Sequence, residues 1–139
     1  MLKLYEHFCP NCLELTRFKE IHKDETFNIR KEKIEVVSRY LFCENCNEDI
    51  SDPKNPDENF IRAYDKYRKM KGFLQPHEIM EIRKSLGISQ EQLSNLLKCS
   101  KETVSRYETG ALQSEEHNNR LLLIKNNLID KGEVNMNKN

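Results

Sequence analysis

The sequence has no long apolar run. Its densest hydrophobic stretch, Leu121-Leu122-Leu123-Ile124, is a single helical turn, so nothing in it is long enough to span a bilayer. The N-terminal Met1-Leu2-Lys3-Leu4-Tyr5-Glu6 lacks the apolar core of a secretory signal, and a cytoplasmic protein is expected. Net charge is also absent, with 23 basic side chains against 23 acidic ones. That does not favour nucleic-acid binding, since strong non-specific binders are usually basic. Residues 1–50 carry eight basic and ten acidic side chains, and residues 51–75 carry six and four. Affinity for DNA would therefore rest on where individual cations are placed. The 139 residues are 37% hydrophobic and 33% charged, with a mean hydropathy of −0.83. Such a chain is too polar for one large core, and small units with extra support are expected. No nucleophile–base constellation and no phosphate-cradling glycine loop is legible, which sets catalysis aside.

Glycine and proline are scarce and segregated. All four prolines (Pro10, Pro53, Pro56, Pro76) lie in the first 76 residues, and all four glycines (Gly72, Gly87, Gly110, Gly132) lie before position 133 but after position 71. Each glycine follows a stretch of helical periodicity, where a left-handed residue ends a helix. Residues 1–52 read as a β-rich module, with strand formers over Phe27–Arg30 and Ile34–Phe42. Residues 53–72 read as a linker and connecting helix. Asn55 is placed to cap that helix ahead of Pro56 and Glu58, and Phe60, Tyr64, Tyr67 and Met70 recur along one face. Residues 73–132 show four more helices: one opened by Pro76, then three opened by Ser89, Ser100 and Ser114. Residues 133–139 have no packing pattern, and a disordered tail is expected. The fold class that follows is α+β: a small β-rich four-cysteine module, then an all-α unit of five helices counting the connecting one.

The module's chemistry lies in Cys9-Pro10-Asn11-Cys12 and Cys43-Glu44-Asn45-Cys46, two CxxC pairs thirty residues apart. A two-residue gap turns both thiolates of a pair toward one ion, and two pairs complete a tetrahedral Cys₄ shell. One structural Zn²⁺ is expected, with no open position for catalysis. Its binding would supply folding energy that this polar segment lacks. Iron is the rival, since rubredoxins use two CxxC pairs at similar separation. Glycine usually follows theirs, whereas Leu13 and Asn47 follow these, which favours zinc. His7 reads as a surface residue and Cys99 as a small buried one.

Residues 89–108 read as two short helices joined by a tight turn at Lys98-Cys99, the pattern of a helix-turn-helix. Leu93, Leu97, Val104 and Tyr107 face inward, Ser94 lets the helices cross, and Ile79, Ile82, Leu86 and Ile88 back them. Lys98 takes the turn position usually held by glycine and must accept a positive φ. The outer face of the second helix presents Lys101, Glu102, Thr103, Ser105 and Arg106. Arginine can pair bidentately with guanine, and Lys101 and Thr103 suit phosphates or base edges. Gln90, opening the first helix, can donate to a phosphate. A plain helical hairpin with a solvated polar face is the alternative.

Together these features resemble the MqsA (YgiT-type) antitoxins over about residues 8–131: Cys-Pro-x-Cys, the gap, Cys-x-x-Cys, a connecting helix and an Xre-like helix-turn-helix ending in Ser-Arg-Tyr-Glu-x-Gly. The resemblance implies the antitoxin of a type II toxin–antitoxin pair. Its zinc domain would neutralise a partner toxin, often an mRNA-cleaving ribonuclease. Its C-terminal domain would dimerise and repress the operon by binding a palindrome in double-stranded DNA. The resemblance also implies Cys9, Cys12, Cys43 and Cys46 as zinc ligands, Arg106 as the base reader and Arg68 as a DNA-backbone contact. Glu102 stands where the family has a base-reading asparagine and can accept from cytosine N4.

A homodimer has its own argument. Leu121, Ile124 and Leu128 form one stripe of the last helix and Leu122 and Ile129 an adjacent one, wider than a five-helix unit needs for itself. Packing into that unit's own core is the alternative. Two-fold symmetry would set two recognition helices about 34 Å apart. Two other functions stay open at this level: a zinc and helix-turn-helix regulator without a toxin, and a protein-interaction module that no longer binds DNA.

Overall fold

The computed structural model describes residues 4–130, with side chains from Glu6 to Leu128. The expected tail at 133–139 and the helix end at Gly132 lie outside the described residues. The chain is α+β: four antiparallel strands are followed by five helices among the described residues. It divides into two units, one running to Ala63 and the other beginning at Tyr64, within the first helix.

In the first unit β1 (Leu4–Cys9), β2 (Glu14–Ile29), β3 (Glu32–Cys43) and β4 (Asp49–Ile50) lie side by side in sequence order. The strands are longer than residues 27–42 suggested. β2 begins at Glu14, because its polar first half pairs with β1 on one side and β3 on the other. The β2–β3 register is unbroken from Phe18↔Cys43 to Ile29↔Glu32, and the ribbon closes through Arg30-Lys31 alone. Both turn residues have positive φ, 48° and 73°, which matches a two-residue turn to the twist of the strands.

The ribbon buries opposite faces at its two ends. Toward the turn Ile34 and Ser38 are buried on the even face of β3; toward the open end Leu41 and Cys43 are buried on the odd face. Phe18, Leu41, Cys9 and Cys43 make the apolar cluster at the open end. β4 covers the edge of β3 only at Leu41 and Phe42. Beyond it the amide of Asn59 takes over: Oδ1 accepts from the Arg39 N–H at 2.8 Å and Nδ2 donates to the Arg39 carbonyl at 2.9 Å. A buried side chain thus satisfies the edge where the strand stops. The Arg39 guanidinium ties Glu20, Asp52 and Glu58 together at 3.0, 3.0 and 2.8 Å.

Helix α1 (Glu58–Lys71) starts two residues later than Asn55 and Pro56 suggested. The Asn55 amide is held by the Asp52 carbonyl and its own carbonyl accepts from Glu58, which makes a turn ahead of the helix. The expected aromatic stripe is also shifted. Phe60 and Met70 are about half exposed, while Asn59, Ala63, Tyr67 and Arg68 are the buried positions.

In the second unit the helices α2 (Pro76–Leu86), α3 (Gln90–Leu97), α4 (Lys101–Thr109) and α5 (Glu115–Asp130) start where their caps indicate. Ser89, Ser100 and Ser114 each accept from the amide three residues on, at 3.1 Å. Gly87 ends α2 at φ 66° with open space around it, so glycine is needed there for conformation rather than room. The core is Leu74, Ile79, Ile82, Leu93, Leu97, Val104, Tyr107, Leu121 and Leu128, with Leu86, Ile88, Cys99, Leu122 and Ile124 packed against it. No helix of the described residues is long and apolar enough to cross a membrane.

Candidate functional site

The register of the sheet brings the two CxxC pairs together. Cys9 ends β1 opposite Glu14, and Cys43 ends β3 opposite Phe18, so both pairs sit at the open end of the ribbon. Each pair turns back on itself: the Leu13 amide donates to the Cys9 carbonyl at 2.7 Å and the Asn47 amide to the Cys43 carbonyl at 2.8 Å. That turn forces a left-handed residue after each pair, and Leu13 and Asn47 have φ 61° and 65°. The lack of glycine therefore does not mark a different knuckle; these side chains adopt the glycine conformation at some strain. The argument from missing glycine against iron loses its weight accordingly.

The four sulfurs lie within 4.8 Å of one another. Cys9 and Cys46 Sγ are 3.7 Å apart, and Cys12 and Cys43 Sγ are 3.9 Å apart. Metal–sulfur bonds of about 2.3 Å in a tetrahedron require edges of about 3.8 Å. A disulfide needs about 2.05 Å, so the spacing fits a metal and not a cross-link. Hydrogen bonds reach in from outside the shell. Thr16 Oγ1 lies 3.1 Å from Cys43 Sγ, Asn45 Nδ2 donates to Cys12 Sγ at 3.2 Å, and the Cys12 amide donates to Cys9 Sγ at 3.3 Å. Burial raises the Cys43 pKa, but the Thr16 hydroxyl and the amides of Cys46 and Asn45 outweigh it and bring it down to about 6. At Cys12 the Asn45 amide lowers the pKa, while burial and the three neighbouring thiols push it up to about 12. A divalent cation bound there would supply the charge that lets all four become thiolates. His7 stays outside the cluster, half-buried and edge-on to Phe18. Cys99 is half-buried against the helical core, and burial raises its thiol pKa.

In the second unit α3 and α4 are joined by Lys98, at φ 59° and ψ 48°, the left-handed geometry its position demands. Ser94 is buried where the two helices cross, and Val104, Tyr107 and Glu108 form the inner face of α4. Lys101, Glu102 and Arg106 are exposed on its outer face; Thr103 and Ser105 are half-exposed. Among the described residues, Lys101, Glu102 and Arg106 have no side-chain partner. Thr103 is engaged with the cap, its hydroxyl 2.8 Å from that of Ser100. Gln90 is tied inward: its Nε2 donates to Glu108 at 3.1 Å, and Glu108 also takes both arms of Arg83 at 2.7 and 3.0 Å.

Arg68 stands elsewhere. Its side chain is fully buried, donating to Gln113 Oε1 at 3.2 Å, to the carbonyls of Gly110 and Ala111 at 2.8 and 2.7 Å, and to Asp65 at 2.8 Å. Four of its five N–H donors are committed and its side chain has no exposed surface, so it offers no accessible group for the phosphate contact expected of it. Leu121 and Leu128 are buried in the unit's own core and Leu122 and Ile124 are partly so, as the core alternative has it. The side chain of Ile129 lies outside the described residues; Leu123, unmarked by the periodicity, is 65% exposed. Sequence reasoning also passed over Thr16, Asn45 and an exposed trio, Phe8, Leu13 and Leu15. Asn45 was legible from its place inside a CxxC pair. Thr16 and the Phe8–Leu15 pair depend on the β1–β2 register, which no local pattern announces.

Residues 7–132 match the family described as the antitoxin component of bacterial toxin-antitoxin system, MqsA. No curated protein matches the chain.

Proposed function

The chain belongs to the MqsA antitoxin family, and from that premise we propose that it is the antitoxin of a type II pair that neutralises a toxin through its Cys₄ unit and represses its own operon through its helical unit. The carrying observation is that one family match spans both the Cys₄ sheet and the helices. Cys9, Cys12, Cys43 and Cys46 hold one structural Zn²⁺, and the metal supports the surface around it. Phe8 on the edge strand β1 and Leu15 on β2 face each other, both exposed, and exposed Leu13 lies in the turn that joins the two strands. Such patches mark protein contacts. A cleft of about 410 Å³ next to this patch carries Glu6, Glu14 and Glu44 with Arg17, a mainly acidic rim suited to a basic partner such as an RNA-cleaving toxin.

The α3–α4 pair acts as a helix-turn-helix, with Arg106 reading a base and Lys101, Thr103 and Ser105 at phosphates or base edges, while Gln90, with one amide N–H held by Glu108, keeps only its second N–H for a phosphate. Glu102 accepts from a cytosine. Dimerisation through α5 would fall to Leu122, Leu123 and Ile124. Neither unit needs a catalytic group for these tasks. A second reading, a helical unit that binds protein instead of DNA, is favoured by the zero net charge and by the unpartnered Glu102. Co-expression with the product of the neighbouring gene tests the toxin half. The expected result is a co-purifying complex and relief of that protein's toxicity; a neighbour that is harmless and does not co-purify overturns it.

A further inference from the structure

The four sulfurs of the metal site are not equivalent. Cys9 and Cys43 are fully buried, which shields them from reagents in solution. Cys12 and Cys46 are half-buried and open to solvent. Among these two, Cys12 accepts a hydrogen bond from Asn45 Nδ2 at 3.2 Å, whereas no N–H or O–H donor among the described residues reaches Cys46 Sγ. A donor outside the shell draws charge from a metal-bound thiolate and orients it. Thiolate character and exposure together decide where a soft electrophile reacts. Of the four sulfurs at the site, Cys46 alone combines solvent access with an undonated sulfur.

We propose that Cys46 is the labile ligand of the centre, the modification site at which soft electrophiles enter, and that Asn45 is the positioning residue that protects Cys12. In the simplest case the Cys46 thiolate displaces iodide from iodoacetamide: a sulfur–carbon bond forms, the carbon–iodine bond breaks and iodide leaves. The thioether is a poorer ligand than the thiolate it replaces, so the metal is released to a competing chelator.

The inference rests on the four cysteines holding a metal, so metal content is measured first, at one zinc per chain. The zinc-loaded full chain is then treated with limiting iodoacetamide, and the alkylated cysteines are mapped by peptide mass spectrometry while a chromophoric chelator reports zinc. Cys46 is expected to be labelled at least several-fold faster than Cys12, Cys9 or Cys43, in step with zinc release. In Asn45→Ala, Cys12 labelling should rise to the level of Cys46; in Thr16→Val, buried Cys43 should stay unlabelled. A zinc-loaded protein labelled first at Cys12, or equally at both, overturns the inference. A protein isolated without metal overturns the reading beneath it.

Discussion

Arg68 is a cation with no solvent around it, and every arm of its guanidinium is spoken for. Burial holds its pKa below the ordinary arginine value, with Asp65 opposing that shift. It pins Gly110, Ala111 and Gln113, the segment between α4 and α5, to the helix it sits on. Arg68→Ala would leave two backbone carbonyls and the Gln113 amide without their donor. Breaking a buried charged network from one side costs about 3–5 kcal/mol. Urea denaturation of the helical unit should show that loss; a variant of unchanged stability with reduced operator affinity would restore the phosphate role. The resemblance led to a DNA contact here because a motif match carries residue type and position but not burial. Arg106 contrasts with it, since the 3.6-residue period alone puts it opposite Val104 and Tyr107 and leaves it exposed.

The elements divide by how locally they are encoded. Serine caps, the capping box of Ser89 and Gln92, and Gly87 mark α2 to α5 within single turns of chain, and the starts of these four helices and the end of α2 were legible, whereas the start of α1 was not. The first half of β2 was not. Its Glu14, Arg17, Lys19 and Glu20 interrupt the strand formers, and it is a strand because β1 and β3 flank it. The change of buried face along the ribbon also breaks the alternation that would reveal it. Its turn was silent too, since Arg30-Lys31 is not the Asn-Gly that a two-residue turn with two positive φ values favours. Left-handed residues other than glycine and asparagine cost roughly 1–2 kcal/mol each. Replacing the pair with Arg30→Asn and Lys31→Gly should therefore raise the unfolding free energy of the sheet unit by about 1–2 kcal/mol. Denaturant midpoints of the metal-loaded proteins check it, and a lower midpoint would refute the turn geometry.

At the scale of the molecule, two units hold together by different means. The helical unit has a nine-residue apolar core of its own. At the four-cysteine end the sheet unit buries only Phe18 and Leu41 beside Cys9 and Cys43, with Ile50 packed against them, so a bound metal would stand in for missing apolar surface. Chelation should abolish the ordered sheet while the helical thermal transition stays within a few degrees, as followed by circular dichroism. A sheet unit that keeps its fold without metal would show that the cysteines are dispensable to it. The pairing of CxxC motifs made this site readable in the sequence. The surface beside it was not, because it is assembled from strand register.

Operator binding most directly tests the separate tasks proposed for the two units. Fluorescence anisotropy of a labelled duplex from the protein's own promoter, at a fixed physiological salt concentration, compares the native chain with Arg106→Ala. Loss of one base-reading arginine removes about 1–3 kcal/mol, roughly a 5- to 150-fold weaker complex. The expected result is salt-dependent binding by the native chain and weakening within that range in the variant. Equal affinity of both proteins for the promoter, or no binding by either, would contradict it.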